Sequence, residues 1–308
     1  MSTLKLQAGQ TAVITGAAGG FGLEFARLAA RKGINLVLTD VQQDALDQAV
    51  AELKATGVRV KALRGDVSRA EDVKALAELC MERFGAPHIV INNAGVAHGG
   101  LIWEHSQRDW DWVLGVNLFG VIHGVRIFTR LMLEAARNDP SWQGHIVNVA
   151  SMAGLLNSPN MGAYNVSKHA VVSLSETLYH DLSLVTDQVH ASVLCPYFVP
   201  TGIHQSHRNR PAELRSDAKP TASQMIAQAM STKAVTSGKV TAAETAQLVF
   251  DAIEAGKFYI YTHPQALGMV QTRLEDVVQG RNPTDPFAGK PEIGQQLRQA
   301  LRDAMQKD

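Results

Sequence analysis

Cysteine is scarce: Cys80 and Cys195 are the only two in 308 residues. Two cysteines are too few for a disulfide framework, and a reducing compartment fits this usage. Long apolar runs are missing as well. None approaches the roughly 18 residues that a bilayer-crossing helix needs. The opening stretch MSTLKLQAGQTAVITG holds one lysine and no long apolar segment before the first strand, so it does not read as a secretory signal. Neither sign of charge is in surplus, with 29 Lys plus Arg against 29 Asp plus Glu. A polyanionic partner such as nucleic acid is therefore not expected. No internal repeat or low-complexity tract interrupts the chain. These absences leave a soluble cytoplasmic protein, with no membrane partner, long enough to bury a substantial core.

What is present is an alternation of strand-like and helix-like segments. TAVIT (11–15), INLVLT (34–39), VRVKAL (58–63), HIVIN (88–92), HIVNVA (145–150), HASVLC (190–195) and FYIYT (258–262) are rich in Val and Ile. Amphipathic stretches of helical length separate them, including long ones over about 107–136 and from Met161 onward. Ser68 with Glu71, and Thr241 with Glu244, have capping-box spacing, and Gly85 and Gly256 stand where helices end. Strands of this kind joined by helical crossovers predict an α/β fold, a doubly wound seven-stranded parallel sheet of Rossmann type with helices on both faces. Residues 1–262 form one domain in this reading, with 200–240 as a substrate lid and 263–308 as a C-terminal extension packed on it.

TGAAGGFG (15–22) lies between the first strand and the first helix. Gly16, Gly20 and Gly22 allow a tight turn and let a pyrophosphate approach the backbone at a helix N-terminus. Asp40 ends the second strand, where a carboxylate accepts ribose hydroxyls and repels a 2′-phosphate. No Arg or Lys in the loop or directly after Asp40 offsets that repulsion, so NAD is expected over NADP. Asp66, at the end of the third strand, is placed either to meet the adenine edge or to open the next helix.

Ser151 follows the fifth strand, Tyr164 comes thirteen residues later, and Lys168 one helical turn further on. Ligands in such sheets bind beyond the carboxyl ends of the strands. Hydride removal from an alcohol carbon requires that the hydroxyl proton leave too. A free phenol, with a pKa of about 10, needs a nearby cation to act as base. Lys168 is spaced to supply it, and Ser151 to hold the reacting oxygen. Each residue alone is commonplace; their joint spacing at this sheet edge is not.

These motifs resemble those of the short-chain dehydrogenase/reductase family: TGAAGGFG, Asp66-Val67, NNAG (92–95), Asn117 in GVNLFG, Ser151, YNVSK and PYFVPT (196–201). The resemblance runs from about residue 8 to 262. It implies that Tyr164 is the acid/base and that Lys168 lowers its pKa and binds the nicotinamide ribose. It also implies that Ser151 orients the substrate oxygen and that Asn117 supports a proton relay. Cofactor contacts would come from Gly16, Ala18, Gly20, Phe21, Gly22, Asp40, Asp66, Val67, Asn93, Gly95, Pro196, Val199 and Thr201. The implied reaction interconverts a secondary alcohol and a ketone, and the implied assembly is a homodimer, built on the two long helices, over a tetramer. An epimerase or dehydratase of the extended family, or a non-catalytic NAD-binding regulator, is the alternative; glycine spacing and the intact Ser, Tyr and Lys count against both. Tyr197 stands where the family usually has Gly; the expected substrate contacts are Ser151, Tyr164 and Tyr197, with outward packing of Tyr197 the alternative. GVNLFGVIHGV and FYIYTHPQ resemble the bacterial Cα-dehydrogenases of aryl alcohols. His98, Trp103, His105, His204 and His207 lack tight metal-ligand spacing, so no metal is expected.

Overall fold

The computed structural model describes residues 4–215 and 218–306; the outermost ends of the expected domain and extension, and lid residues 216 and 217, lie outside the described residues. The Val- and Ile-rich runs form strands β1 (Thr11–Thr15), β2 (Asn35–Asp40), β3 (Val60–Arg64), β4 (Ile89–Asn92), β5 (Gly144–Val149), β6 (Val189–Cys195) and β7 (Tyr259–Tyr261). They make one seven-stranded sheet in the order β3-β2-β1-β4-β5-β6-β7. Every pairing is parallel. Adjacent residues of a strand face opposite sides. Ala12 and Ile14 thus join one buried layer, while Val13 joins the other.

Helices α1 (Gly20–Arg31), α2 (Gln43–Lys54) and α3 (Ala70–Phe84) cross over between the first strands. α1 buries Phe25, Leu28 and Ala29 against the sheet. α3 corrects one expectation. Arg69, not Ser68, precedes its first turn, and no side chain caps it. Asp66 and Asp72 take over the backbone there. Asp66 Oδ1 accepts from the Ser68 amide at 2.9 Å and Asp72 Oδ2 from the Asp66 amide at 2.8 Å.

The long helix expected over 107–136 is two helices, α4 (Gln107–Leu114) and α5 (Gly120–Asn138), joined by a π-helical turn over Gly115–Phe119. Against the expectation that no apolar run has membrane-crossing length, an 18-residue window within Gln107–Asn138 has mean hydropathy 1.4, long and apolar enough by length and composition to cross a bilayer. Here Phe128, Met132 and Ala136 pack into the core beside Val90 and Ile146. α6 (Gly162–Val185) follows β5, and α8 (Ala242–Ala255) precedes β7. The Thr241–Glu244 capping box is present, and Gly256 ends α8 at φ 64°.

Segment 200–240, expected as a lid, carries secondary structure among its described residues. It contains short 3₁₀ turns and helix α7 (Ala222–Thr236). The extension forms α9 (Leu267–Val278) and α10 (Pro291–Met305), the latter packed on α7.

Candidate active site

Neighbours of β1 leave in opposite directions at the β1–β4 boundary, and the crevice beyond it opens into a cavity of about 1770 Å³. At one end stands the glycine turn. Gly16 and Gly20 hold φ of 63° and 53°, a conformation that favours glycine. A Cβ on Gly22 would sit 2.0 Å from the Gly16 carbonyl oxygen. Asn93 Nδ2 donates to Thr15 O at 2.8 Å and to Gly16 O at 3.1 Å, fixing the turn from behind. Asp40 faces it: Oδ2 accepts from the Ala18 amide and Oδ1 from the Gln42 amide, both at 3.0 Å. A carboxylate offers about four acceptor sites, so Asp40 is oriented without being exhausted.

Of the expected cofactor residues, Gly16, Gly20, Phe21, Asp40, Asp66, Val67, Asn93, Gly95, Pro196, Val199 and Thr201 line the cavity. Gly22 and Ala18 lie behind the lining and shape the turn, Ala18 through its amide. Asp66 lines the cavity, and its Oδ1 also accepts from the Ser68 amide on the approach to α3.

Ser151, Tyr164 and Lys168 share the next wall. Ser151 Oγ accepts from the Ala153 amide at 3.1 Å, which fixes the hydroxyl at the strand end. Tyr164 and Lys168 are buried one turn apart on α6. Burial raises the Tyr164 pKa, and the Ser151 hydroxyl beside it lowers it in part. Lys168 adjoins it on the same wall. Its Nζ donates to Val149 O at 2.9 Å and stands 5.8 Å from the Tyr164 ring centre. Burial pushes Lys168 itself down to about 8.

Asn117 does not reach the cavity with its side chain. It is fully buried in the π-helical turn. Its Nδ2 donates to Val96 O at 2.9 Å and Ser167 Oγ at 3.1 Å, and its Oδ1 accepts from the Val96 amide at 2.8 Å. The wide turn swings it toward the strand end, as π-bulges near functional sites do. Gly95 packs between Asn117 and Lys168: a Cβ there would meet Asn117 Oδ1 at 3.4 Å and Lys168 Nζ at 3.6 Å, ordinary contact distances. Tyr197 and Phe198 line the outer cavity, ring centres 4.4 Å apart, with His263 5.8 Å from Tyr197.

Behind the lid lies a cluster that sequence spacing did not show. His98 Nε2 stands 3.2 Å from Asp109 Oδ1, and His105 adjoins them. Arg210 from the lid donates to the same Asp109 oxygen at 2.6 Å. Asp109 Oδ2 accepts from the Ser106 amide and hydroxyl, each at 2.8 Å. Burial alone would raise the Asp109 carboxyl, but hydrogen bonds from His98, Ser106 and Arg210 hold it well below the usual carboxylate range. The donors fit a cation only in part, because Arg210 already supplies the positive charge. Trp103 points to solvent, and His204 bonds the Thr201 carbonyl. Ser206 Oγ accepts from the Ala97 amide and Ser223 Oγ from the Leu101 amide, each at 3.0 Å, adding further ties between lid and core.

Arg210→Ala should therefore destabilise the protein by about 3 kcal/mol, since it strands a buried carboxylate. Urea unfolding checks this; a change below about 1 kcal/mol, the scale of a solvated surface pair, removes the latch role. A depressed carboxyl stabilises fully above its ordinary pKa of about 3.9 and loses this only as pH falls further. The latch should thus persist in mild acid.

A glycine turn at a helix N-terminus, a carboxylate at the end of β2, and a half-buried Ser beside a buried Tyr and Lys on one wall fit a dinucleotide-dependent oxidoreductase. The family model for short chain dehydrogenases matches residues 10–212, and the chain belongs to that family. It is an NAD(P)-dependent oxidoreductase. A CLA biosynthesis dehydrogenase/reductase of Lactiplantibacillus plantarum is 33% identical over 86% of this chain and 92% of its own. A C alpha-dehydrogenase of Sphingobium sp. strain SYK-6 is 29% identical over 95% and 92%. The crystal structure of a short chain dehydrogenase/reductase from Burkholderia phymatum in complex with NAD superposes with TM-score 0.89. It is 51% identical and covers 92% of this chain and 99% of that one.

Proposed function

We propose that the protein interconverts a secondary alcohol and a ketone, using NAD in preference to NADP. The carrying observation is one continuous cavity that joins the Gly16–Gly22 turn to Ser151, Tyr164 and Lys168. Gly16, Gly20, Asp40, Asn93, Val199 and Thr201 would hold the dinucleotide, whose nicotinamide supplies the hydride acceptor when bound. Ser151 orients the substrate oxygen. Tyr164 takes the hydroxyl proton in oxidation and returns it in reduction. Lys168 holds positive charge beside that transfer and is placed to bind the nicotinamide ribose.

Asp40 supports the cofactor preference, and the Burkholderia relative is described with NAD. Asp40→Ala should narrow the preference for NAD over NADP by about tenfold, the scale of one charged hydrogen bond. Initial rates with both cofactors decide it; better use of NADP by the unaltered protein would refute the assignment. The reaction itself is tested by following reduced cofactor over a panel of aryl, aliphatic, steroid and sugar alcohols. Silence across all secondary alcohols would remove the reading.

We place the protein in the cytoplasm, consistent with its two free, buried cysteines. A homodimer through the α4–α5 pair and α6 is supported by exposed Phe119 in the π-helical turn and Val166 on α6. A light-scattering mass of four chains would contradict it.

A further inference from the structure

The cavity exceeds what one small molecule needs, usually about 300–1,000 Å³. Its remainder, beyond the dinucleotide end and Tyr164, is walled by the lid and the extension. α7 contributes Ile226 and Met230, α9 contributes Met269, and α10 contributes Ile293 and Leu297. This wall is apolar, which suits a bulky apolar substrate body.

Six cations interrupt it: Arg208, Lys233 and Lys239 from 200–240, and Arg273, Arg281 and Lys290 from the extension. Arg208 bonds the Gln205 side chain and Arg281 pairs with Asp276. The face of α9 turned to the cavity carries Met269, Thr272, Arg273 and Asp276, at helical spacing. Asp276 is already committed. It accepts from Arg281 Nε at 3.0 Å and from the Thr284 amide at 2.9 Å. Arg273 is half-buried and, among the described residues, has no carboxylate within salt-bridge distance. It lies within electrostatic reach of His169, the residue after Lys168. A guanidinium held against an apolar cavity without a counter-ion pays a desolvation cost that an arriving anion relieves. The whole chain is charge-balanced, so this surplus is local.

We propose that Arg273 is a specificity determinant for an amphiphilic substrate: an apolar body bearing the oxidisable hydroxyl, with a carboxylate at a distance from it that Arg273 receives. This rests on the alcohol-oxidation reading for the fate of the hydroxyl, but its test does not depend on turnover.

Decanoate and decanamide share one chain and differ in charge, and neither carries a hydroxyl to oxidise. Calorimetric titration of each into the NAD-loaded protein should show decanoate binding about tenfold more tightly, the scale of a charge-assisted hydrogen bond. That ratio should fall to near one in Arg273→Gln and persist in part in Arg273→Lys. NAD titration of both variants checks that the fold is intact. Equal binding of acid and amide by the unaltered protein, absence of decanoate binding, or a ratio unchanged in Arg273→Gln would each overturn the proposal. A protein that binds decanoate this way yet oxidises no secondary alcohol would instead refute the proposed reaction.

Discussion

Tyr164→Phe is expected to retain NAD binding and to lose turnover by about a hundred- to ten-thousand-fold, the usual contribution of a positioned acid/base. The variant removes one oxygen and keeps the ring, so packing on α6 survives. Steady-state rates and an NAD titration on the same preparation separate the two effects. Turnover within about threefold of the unaltered protein would remove Tyr164 as the proton acceptor, since the predicted loss is at least thirty times larger.

The direction of the Tyr164 shift adds a pH dependence to this prediction. Burial holds the phenol above its ordinary value, so at neutral pH it keeps its proton. Reduction, which needs a proton donor, should therefore be supported at neutral pH. Oxidation needs an acceptor and should quicken as pH rises. Lys168 moves the other way. Its pKa of about 8 lets the ammonium lose its proton within the same alkaline range. The rise in oxidation should accordingly flatten where Lys168 neutralises. A pH profile in both directions, repeated in Tyr164→Phe, checks that the rise belongs to the phenol.

The strands and the placing of Ser151, Tyr164 and Lys168 on one cavity wall were legible because their signals are local. Val- and Ile-rich runs bounded by helical spacing identify parallel strands whatever the rest of the chain does. Ser151, Tyr164 and Lys168 lie within eighteen consecutive residues, and the sheet edge that unites them follows from strand order. What escaped depends on distant segments. Arg210 reaches Asp109 from 101 positions away, so no spacing rule links them. Ser106 and Asp109 do form a capping box, a signal that was present in the sequence and would have drawn attention to Asp109. The π-helical turn has no composition of its own. It arises where Asn117 turns inward to the Val96 backbone, and the apolar period on either side reads as one helix. The Ser68–Glu71 spacing misled because Asp66 and Asp72 satisfy the backbone amides first.

Gly22→Ala should have the second large effect, and it acts on the cofactor end. An added Cβ would lie 2.0 Å from the Gly16 carbonyl oxygen, 2.7 Å from Asn93 Nδ2 and 2.8 Å from the Gly16 carbonyl carbon. Two of these are backbone atoms of the turn itself, and the third is the side chain that ties the turn to β4's end. None is the free end of a flexible chain, so the first turn of α1 and the glycine turn must part. Such overpacking costs about 1–3 kcal/mol of stability. Displaced amides no longer converge on one anion, so NAD affinity should fall by at least about tenfold. Gly19→Ala provides the contrast. Its Cβ would have nothing within 4 Å, and its extended backbone suits any residue. Gly19→Ala should unfold in urea at the concentration that unfolds the unaltered protein, while Gly22→Ala unfolds earlier. If Gly22→Ala matched the unaltered protein in both unfolding and NAD titration, the close packing of α1 on the turn would not be what shapes the dinucleotide site.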